Sequence, residues 1–422
     1  MSAVETLATV LLLLLTIWSA TATLNALWPL RNVVVLIPSM LWSWFVIGLP
    51  VQTLVFQMMG TALLVAAGAL ASPLGWACLG VLVVSWVGTG FVLFQIRGAS
   101  GIVDSALVEA GVARTKATVP TWRVLLAIPL RGRSVTKVSG IEFRRVAGRT
   151  LRLDVFHNGS QAEGRPVLMY IHGGGWVVGD KREQGLPLMH HLARHGWVCV
   201  SVNYRLSPGA TWPDHLIDAK AGLAWIRQNI GEYGGDPSFV AVAGGSAGGH
   251  LAAMVGLTEN LPVYQPGFED ADTAVNVVVP IYGIYDTTNR MGVQSSQFVP
   301  LLMEPLVIKA YLTDEPEKFL DASPIDRIHA DAPVFVIPQG DRDTLAPVEE
   351  ARAFVERLRS VSGSRVVYME FRGAQHIFDL AYSQQSSAMI EGVLSVLEDE
   401  RARLRDRGEP SERRRLGDVD HA

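Results

Sequence analysis

The sequence is poor in cysteine and in net charge. Its 422 residues include two cysteines, Cys78 in an apolar run and Cys199 in a predicted strand, so a disulfide framework is excluded and both read as buried thiols. The formal net charge of −4 is too small to indicate a nucleic-acid partner. Charged residues make up 18% of the chain and hydrophobic residues 49%, an excess that predicts segments in lipid.

Signatures of metal and nucleotide sites are also missing. His190 and His191 are adjacent, so they cannot share one helix face and hold one metal ion. The glycine-rich stretches lack the Lys-Ser/Thr pair of a phosphate-binding loop. The sequence therefore predicts neither a metal site nor a cofactor.

The hydrophobic excess lies in the first hundred residues. Three apolar segments are long enough to cross a bilayer as helices, which takes about 20 residues: 4–28, 52–71 and 76–96. No basic stretch precedes the first segment and further apolar segments follow it, so a cleaved signal peptide is excluded.

A shorter apolar segment, 33–49, contains Pro38 and is followed by Pro50. It predicts either a fourth span or one arm of a kinked or re-entrant helix. We therefore predict an all-helical transmembrane domain of three to four spans over residues 1–97.

Residues 98–137 are predicted to connect this domain to the rest of the chain. They are rich in Lys and Arg, which by the positive-inside rule predicts that the C-terminal portion of the chain is cytoplasmic. We predict an integral protein of the plasma membrane. Within the connector, the apolar segment 120–131 carries Trp122 and arginines at its edges. That composition suits a segment at the membrane surface. The alternative is a helix packed on the following domain.

From residue 138 onward the pattern becomes α/β. A predicted hairpin (141–146 with 151–155) precedes six short buried strands, which alternate with amphipathic helices: strands at 167–171, 198–202, 240–243, 277–281, 334–337 and 366–371. Such alternation predicts a mostly parallel sheet covered by helices on both faces. We predict an α/β-hydrolase-type sheet of about eight strands over residues 138–400, followed by a disordered charged tail, 401–422.

The fifth predicted strand leads into the sequence Gly244-Gly245-Ser246-Ala247-Gly248 and then into a helix. In a strand–turn–helix of this kind the serine takes a strained conformation, so the residues two before and two after it must be nearly free of side chain. The strain presents the hydroxyl above the sheet edge, at a helix N-terminus that favours developing negative charge. Ser246 is therefore the predicted nucleophile.

A second glycine-rich run, residues 172–176 (HGGGW), directly follows a predicted strand. Its glycines allow the backbone N–H groups of Gly174 and Gly175 to turn toward a ligand oxygen, together with the N–H of Ala247. We predict that these three groups form an oxyanion hole. His172 is predicted to brace the loop and not to transfer protons.

A nucleophilic serine requires a general base, and the sequence has ten histidines that could serve as one. His376 lies in a loop just after the last predicted strand, with Gly373 nearby, where it can reach the serine from the carboxyl edge of the sheet. The histidine beside the serine turn, His250, is predicted to point into its own helix. His376 is therefore the predicted general base.

Two aspartates, Asp341 and Asp343, follow the strand predicted at 334–337 and compete for the role of the orienting carboxylate. Asp343 is closer to the next predicted helix, so its side chain should turn back toward the histidine loop. We predict Asp343 for this role, with Asp341 solvated or holding Arg342.

One insertion, 286–321, interrupts the alternation between two strands and is rich in large apolar residues. Because it follows the carboxyl end of a strand, it is predicted to form a small helical lid over the site, lining an acyl pocket. An ordinary surface excursion is the alternative.

The chain order Ser246, Asp343, His376 is that of α/β-hydrolases. Four stretches carry the resemblance further: 172–176 (HGGGW), 204–208 (YRLSP), 234–237 (GGDP) and 244–249 (GGSAGG). Residues 139–397 resemble hormone-sensitive-lipase-like and feruloyl/isoprenylcysteine-methylesterase-like carboxylesterases, and the membrane-anchored layout resembles lipase/esterase paralogues of actinobacteria. One departure is that Thr344 stands where many hormone-sensitive-lipase relatives have proline.

These features predict a serine carboxylester hydrolase, an esterase or lipase, that cleaves an apolar or lipid-like ester through an acyl-enzyme. The expected partners are a small-molecule or lipid ester and membrane lipids, without a cofactor. Two alternatives are a serine peptidase of the prolyl-oligopeptidase type, which usually brings a propeller domain that has no room here, and a non-catalytic binding module, which would be expected to have lost a triad residue.

Overall fold

A computed structural model of the chain describes residues 2–30, 36–129, 132, 134–159 and 162–406. It contains an N-terminal helical bundle followed by an α/β domain. Residues 31–35 lie outside the described residues, and they include 33–35, the start of the shorter apolar segment predicted at 33–49. The predicted tail beyond residue 406 also lies outside them.

Four helices form the N-terminal bundle: α1 (Ala3–Leu27), α2 (Leu36–Gly48), α3 (Pro50–Ala66) and α4 (Pro73–Ile96). Helix α1 begins where Ser2 and Glu5 form a capping box, and α4 begins after Ser72, whose side chain accepts the Gly75 N–H. Both starts are thus set by a polar residue that satisfies N–H groups lacking an acceptor within the helix.

Two helices of the described chain are long and apolar enough to cross a membrane, Ala3–Leu27 and Pro73–Glu109, the second of which includes α4 and its continuation. Helices α2 and α3 meet at 90° at Leu49–Pro50, and together they raise the number to three if the bent pair is one span. The proline cannot continue the hydrogen bonding of α2, which explains the break. Four independent spans, the upper end of our prediction, are therefore not supported by helix length.

Helices α1 and α4 pack in parallel. Early residues of each meet in one apolar cluster, Leu12 with Leu82, and late residues meet in another, Ala26 with Ile96. Beside the late cluster the hydroxyls of Thr23 and Thr89 lie 3.2 Å apart. Both helices consequently end on the same side of the bundle, the side that contacts the α/β domain.

The α/β domain is built on one eight-stranded sheet, as predicted. The strands are β1 (Thr136–Val146), β2 (Arg149–His157), β3 (Arg165–Ile171), β4 (Val198–Val202), β5 (Gly235–Gly245), β6 (Val277–Ile281), β7 (Val334–Gly340) and β8 (Val366–Phe371). Their order across the sheet is β1-β2-β4-β3-β5-β6-β7-β8. Only β2 pairs antiparallel, with β1 and β4, and the other pairs are parallel. Consequently, the carboxyl ends of β3 through β8 share one edge.

The helices of this domain are α5 (Ala99–Glu109), α6 (Thr121–Leu126), α7 (Leu186–Arg194), α8 (Asp214–Asn229), α9 (Ala247–Leu257), α10 (Pro316–Asp321), α11 (Val348–Val361) and α12 (Gln384–Asp406). Helix α12 contacts α5 and α7, while α8 contacts α9. The helices thus form two separate groups, one on each face of the sheet, as the alternating pattern predicts.

Helix α5 corrects the predicted boundary at residue 98. Val103 is fully buried in the core of the α/β domain, and Glu391 of α12 forms an ion pair with Arg114 at 2.6 Å. At Gly392 a Cβ atom would lie 2.7 Å from the Val103 side chain, so this glycine permits the close approach of α5 to α12. The first part of the predicted connector is therefore part of the α/β core.

The predicted tail also begins too early. Helix α12 continues to Asp406, six residues into the segment predicted to be disordered from residue 401. Arg403 forms an ion pair with Asp399 one turn earlier, at 3.0 Å, and the Arg401 guanidinium donates to the Gly164 carbonyl. These contacts keep the charged sequence helical.

The predicted lid segment forms a π-helical turn, Val299–Ile308, followed by α10. It is tied to the loop before α8, because the Trp212 N–H donates to the Val307 carbonyl at 2.8 Å and its indole N–H donates to Asp321 at 2.8 Å. Val299, Met303, Val307 and Ile308 are buried, whereas Leu301 and Tyr311 are exposed.

Candidate active site

Ser246 occupies the turn between β5 and α9. Its φ and ψ angles are 58° and −123°, a conformation that L-residues rarely adopt. A Cβ atom on Gly244 would lie 2.3 Å from the Gly248 carbonyl oxygen, and one on Gly248 would lie 2.1 Å from the Ile171 oxygen. Neither position can carry a side chain, so the glycine spacing that predicted this turn is a steric requirement of it.

The glycine-rich loop after β3 lies directly against the serine. A Cβ atom on Gly173 would approach the Ser246 Cβ to 3.1 Å. Gly174 and Gly175 have φ angles of 115° and 60°, and a Cβ atom on Gly174 would collide with the Val178 carbonyl at 2.0 Å. The loop therefore places Gly173, the residue before the predicted donors Gly174 and Gly175, against the serine.

The third predicted donor, Ala247, is the first residue of α9, so its N–H belongs to the group that has no acceptor within its own helix. Hydrogen bonding within α9 starts with the His250 N–H, which donates to the Ser246 carbonyl at 2.9 Å. The positive end of the helix dipole thus lies at the serine.

His172 is buried and serves the loop structurally. Its ring stacks on Tyr204 with the centroids 4.5 Å apart, and the Tyr204 hydroxyl donates to the His172 carbonyl at 3.0 Å. Burial lowers the pKa of the His172 imidazole, which favours the neutral form. These contacts agree with the bracing role predicted for it.

The loops after β7 and β8 bring Asp343 and His376 together. The His376 Nδ1 lies 2.7 Å from the Asp343 Oδ2, and both side chains are buried. The second carboxylate oxygen, Oδ1, accepts the N–H groups of Leu345 at 2.9 Å and Ala346 at 2.8 Å. Asp343 is therefore fixed on one side by the backbone and presents its other oxygen to the histidine.

Gln375 joins the two loops. Its side-chain oxygen accepts the Thr344 N–H at 2.8 Å and the His376 N–H at 2.9 Å. One amide oxygen thus links the backbone of the aspartate loop to that of the histidine loop.

Asp341 is placed elsewhere. It is half-buried and accepts the Gly373 N–H at 2.6 Å, so it bonds to the histidine loop, whereas the prediction was that it is solvated or holds Arg342. Burial raises the pKa of its carboxyl group. Its neighbour Arg342 donates to the Ala26 carbonyl of α1 and to Gln95 of α4. Asp341 therefore supports the histidine loop, while Asp343 contacts the histidine.

Tyr282 connects the serine to the histidine and was missed by the sequence analysis. Its ring centroid lies 4.6 Å from that of His376, and a Cβ atom on Gly245, next to the serine, would lie 2.8 Å from the Tyr282 hydroxyl oxygen. The hydroxyl donates to the buried carboxylate of Asp379, and burial raises the pKa of that carboxyl group. The sequence could have indicated Tyr282, because it directly follows the strand predicted at 277–281, at the same edge of the sheet as the serine.

His250 is excluded as the base by its surroundings. It is buried, its Nε2 lies 2.7 Å from the Ala322 carbonyl, and its ring packs edge-on against Trp176 and Trp212. Burial lowers its pKa to about 4. It is a structural residue under the site, as predicted from its place inside α9.

Among the described residues, no group of three or more His, Cys, Asp or Glu side chains is placed to hold a metal ion. The chemistry available at this edge is that of a hydroxyl, an imidazole–carboxylate pair and backbone N–H groups. This combination suits acyl transfer through a covalent intermediate.

A serine in a strained conformation at a strand–turn–helix, next to a glycine-rich loop that follows the neighbouring strand β3, defines an α/β-hydrolase. The family model described as BD-FAE matches residues 153–358. The chain is 41% identical over 399 residues to the probable carboxylic ester hydrolase LipM of Mycobacterium tuberculosis, covering 87% of this chain and 88% of LipM. The chain therefore belongs to the α/β-hydrolase family of carboxylic ester hydrolases.

Further similarities agree with this family. The esterase LipC of M. tuberculosis is 49% identical over 216 residues, which are 51% of this chain and 53% of LipC. A solved carbohydrate esterase from gut microbiota, in truncated form, superimposes with a TM-score of 0.55 at 20% identity. That alignment covers 63% of this chain and 96% of the other chain. At this identity the solved structure supports the fold alone.

Proposed function

We propose that the chain hydrolyses carboxylic esters with Ser246 as nucleophile, His376 as general base and acid, and Asp343 as the carboxylate that orients the histidine. The observation that carries the proposal is the 2.7 Å contact between His376 Nδ1 and Asp343 Oδ2 at the edge where Ser246 is presented. Tyr282 packs against both the histidine and the residue before the serine, which supports their closeness.

The proposed reaction has two half-reactions. The Ser246 hydroxyl oxygen attacks the ester carbonyl while the His376 Nε2 takes the hydroxyl proton, and Asp343 stabilises the resulting imidazolium. The imidazolium then protonates the leaving alcohol, which departs as the acyl-enzyme forms. In the second half-reaction His376 takes a proton from water, which attacks the acyl group. The bond between the Ser246 oxygen and the acyl carbon then breaks, the imidazolium returns its proton to the Ser246 oxygen, and the acid is released.

The negative charge on the carbonyl oxygen is proposed to be held by the N–H groups of Gly174, Gly175 and Ala247. Each donor of such a hole contributes roughly 3 kcal/mol to the transition state, because the donors are fixed before the charge develops. The positive φ angles of Gly174 and Gly175 support this role, since they turn successive N–H groups in ways other residues rarely allow.

Covalent labelling tests the nucleophile. A fluorophosphonate probe is expected to form a phosphorus–oxygen bond with the Ser246 hydroxyl and lose fluoride, giving a mass increase on the peptide that contains Ser246. A soluble p-nitrophenyl ester present during labelling should slow the reaction, because both compete for the same hydroxyl. A label on another serine, with the Ser246 peptide unmodified, contradicts the assignment.

The relatives weigh against the two alternatives. A peptidase of the prolyl-oligopeptidase type shares the order of the triad, but the relatives LipM and LipC are named as a probable carboxylic ester hydrolase and an esterase. A binding module without activity would not require the His376–Asp343 contact.

We propose further that the substrate is an apolar or lipid-like ester, such as an acylglycerol, a lipid acetate or another lipidated ester. The support is that the catalytic edge faces the N-terminal bundle, α1 to α4, which we call the membrane bundle from here on. Arg342, next to Asp343, reaches the end of α1, and Trp44 of α2 donates to the carbonyl of Ile377, next to His376. An ester dissolved in the bilayer would therefore have a short path to the serine.

Helix α6 supports the same substrate class. Its residues Trp122, Leu125 and Leu126 are 50–59% exposed, as is Ile128 just after it. The α3 side chain of Gln52 donates to two carbonyls of this helix, which places α6 at the membrane bundle. We propose that this apolar face lies in the membrane surface and that the exposed Leu301 and Tyr311 of the lid segment also face lipid.

We propose a membrane-anchored catalytic domain that begins at Ala99, in the plasma membrane, with that domain in the cytoplasm. The basic residues after α4 support this orientation through the positive-inside rule.

Negative charges introduced on α6 and just after it should lower activity on membrane-embedded esters but not on soluble ones. The double variant Leu125→Glu, Ile128→Glu in the full chain is expected to lower hydrolysis of an ester embedded in vesicles by about tenfold, because two exposed apolar side chains no longer enter the lipid surface. Its kcat/KM on a short soluble ester should stay within about twofold of the wild type, since neither residue is proposed to contact the reacting atoms.

Val108→Glu is the control for this experiment. Val108 is 79% exposed near the end of α5, and the next residue, Glu109, forms an ion pair with Arg359 near the end of α11, the helix that leads to the start of β8 at the opposite edge of the sheet. It should affect neither substrate. Equal vesicle activity of the double variant and the wild type would leave the membrane bundle as an anchor alone. A truncation at Gly132 is a poorer test, because it also removes α5 from the core.

A further inference from the structure

The two loops that carry the histidine and the aspartate are held by the membrane bundle. On the aspartate loop, the Arg342 guanidinium donates to the Ala26 carbonyl of α1 at 2.7 Å and to the Gln95 side-chain oxygen of α4 at 2.9 Å. The Gln95 oxygen would also lie 3.5 Å from a Cβ atom on Gly373, at the start of the histidine loop. The ends of α1 and α4 therefore contact both loops.

Helix α2 makes the contact closest to the predicted base. The Trp44 indole N–H donates to the Ile377 carbonyl at 3.2 Å, and Ile377 directly follows His376 in the chain. Trp44 is half-buried at this junction and lies on α2, the helix that meets α3 at 90°. A membrane-domain side chain thus binds the backbone one residue from the base.

Ile377 has a backbone that needs such support. Its φ angle is 56°, a region that a β-branched residue adopts only when its surroundings enforce it. Its carbonyl accepts the Leu380 N–H from its own loop at 3.1 Å as well as the Trp44 indole from α2. The first bond closes the loop on itself, and the second fixes it to the membrane bundle.

The other contacts of the histidine loop act on different atoms. Tyr282 packs against the imidazole ring, Gln375 accepts the His376 N–H, and Asp341 accepts the Gly373 N–H. Trp44 acts on the peptide between Ile377 and Phe378, so it limits rotation of the backbone one residue after the histidine.

We propose that Trp44 is a positioning residue for His376, so that the membrane bundle is a working part of the catalytic apparatus. The proposal rests on the proposed role of His376 as the base. A general base must lie within hydrogen-bond reach of the proton it takes, and a displacement of about 1 Å can lower a rate by as much as 10²-fold. Loss of the Trp44 bond releases the strained peptide beside the base and thereby lowers the fraction of enzyme with the imidazole in place.

The variant Trp44→Phe in the full chain tests this directly. It keeps an aromatic ring but removes the N–H donor. With a short soluble p-nitrophenyl ester, kcat is expected to fall about tenfold while KM changes by less than about twofold, because the base is misplaced but substrate binding is untouched. A rise in KM at unchanged kcat would overturn the proposal, since it would make Trp44 a substrate contact.

Trp42→Phe is a matched control on the same helix. The Trp42 indole donates to the Thr21 hydroxyl of α1 at 2.9 Å, within the bundle and not to the catalytic domain. The substitution removes the same chemical group two residues away, so its kcat should equal that of the wild type. Equal kcat values in Trp44→Phe and Trp42→Phe would overturn the proposal.

Hydrogen exchange gives a readout that does not depend on activity. Backbone amides of residues 374–382 are expected to exchange faster in Trp44→Phe than in Trp42→Phe, with other segments unchanged. Unchanged exchange in this segment would contradict the proposed support even if activity fell. Because Ser246 labelling tests the proposed function separately, failure of the Trp44 proposal leaves that assignment standing.

Arg342→Met keeps the proposal testable if Trp44→Phe does not accumulate in membranes. It breaks both bonds from the aspartate loop to α1 and α4 and leaves the Asp343 carboxylate intact. The same pattern is expected, a loss in kcat at nearly constant KM. A variant with wild-type kcat would overturn the part of the proposal that makes α1 and α4 a working part of the catalytic apparatus, because both of their bonds to Arg342 are lost in it.

Discussion

Replacing Ser246 by alanine is expected to abolish ester hydrolysis, with a loss in kcat on the order of 10⁶. The alanine fits the strained turn as well as serine does, because the φ angle of 58° is imposed by the strand, the helix and the two glycines around it. What disappears is the oxygen that forms the covalent bond to the acyl group. The N–H groups of the proposed oxyanion hole remain, so substrate should still bind with a similar Kd.

Ser238→Ala is the matched control for this variant. Ser238 lies on the same strand, β5, at its exposed start, where its hydroxyl donates to Asp236 at 2.6 Å. This substitution should leave kcat and fluorophosphonate labelling unchanged. Hydrolysis at near wild-type rate in Ser246→Ala, after purification from any contaminating esterase, would remove Ser246 from the mechanism.

The features that the sequence predicts best are those set by local chemistry. The turn at Ser246 requires Gly244 and Gly248 because neighbouring carbonyl oxygens leave no room for a Cβ atom, so the spacing alone indicates the structure. The central strands β3, β4 and β6 follow from short apolar runs, rich in valine, whose side chains are all buried. Asp343 could be preferred over Asp341 because only the former lies near enough to α11 for its carboxylate to accept the N–H groups of the loop before that helix.

Features that depend on distant segments were not predictable in the same way. Helix α5 has the composition of a connector, and only its packing against α12 and β8 makes it part of the core. Tyr282 and Asp379 are 97 positions apart, and Trp44 and Ile377 are 333 apart. No spacing rule links such pairs, because their contact is a result of the completed sheet and of the docking of the bundle.

Asp343→Asn is expected to lower kcat by about 10⁴, whereas Asp341→Asn should change it by less than about threefold. The reason lies in the hydrogen bonds of the Asp343 carboxylate. Its Oδ1 accepts the N–H groups of Leu345 and Ala346, so the single oxygen of an asparagine would remain there. The new NH2 group would then face the His376 Nδ1 in place of Oδ2.

An NH2 group can only donate, so it would force the His376 Nδ1 to act as an acceptor and the proton to move to Nε2. In that tautomer the histidine cannot take the proton of the Ser246 hydroxyl. At Asp341 the same substitution keeps the oxygen that accepts the Gly373 N–H, so the histidine loop keeps its support. Measurement of kcat for both variants on one soluble ester decides between the aspartates. The opposite ranking would make Asp341 the orienting carboxylate and would require its loop to rearrange before the reaction.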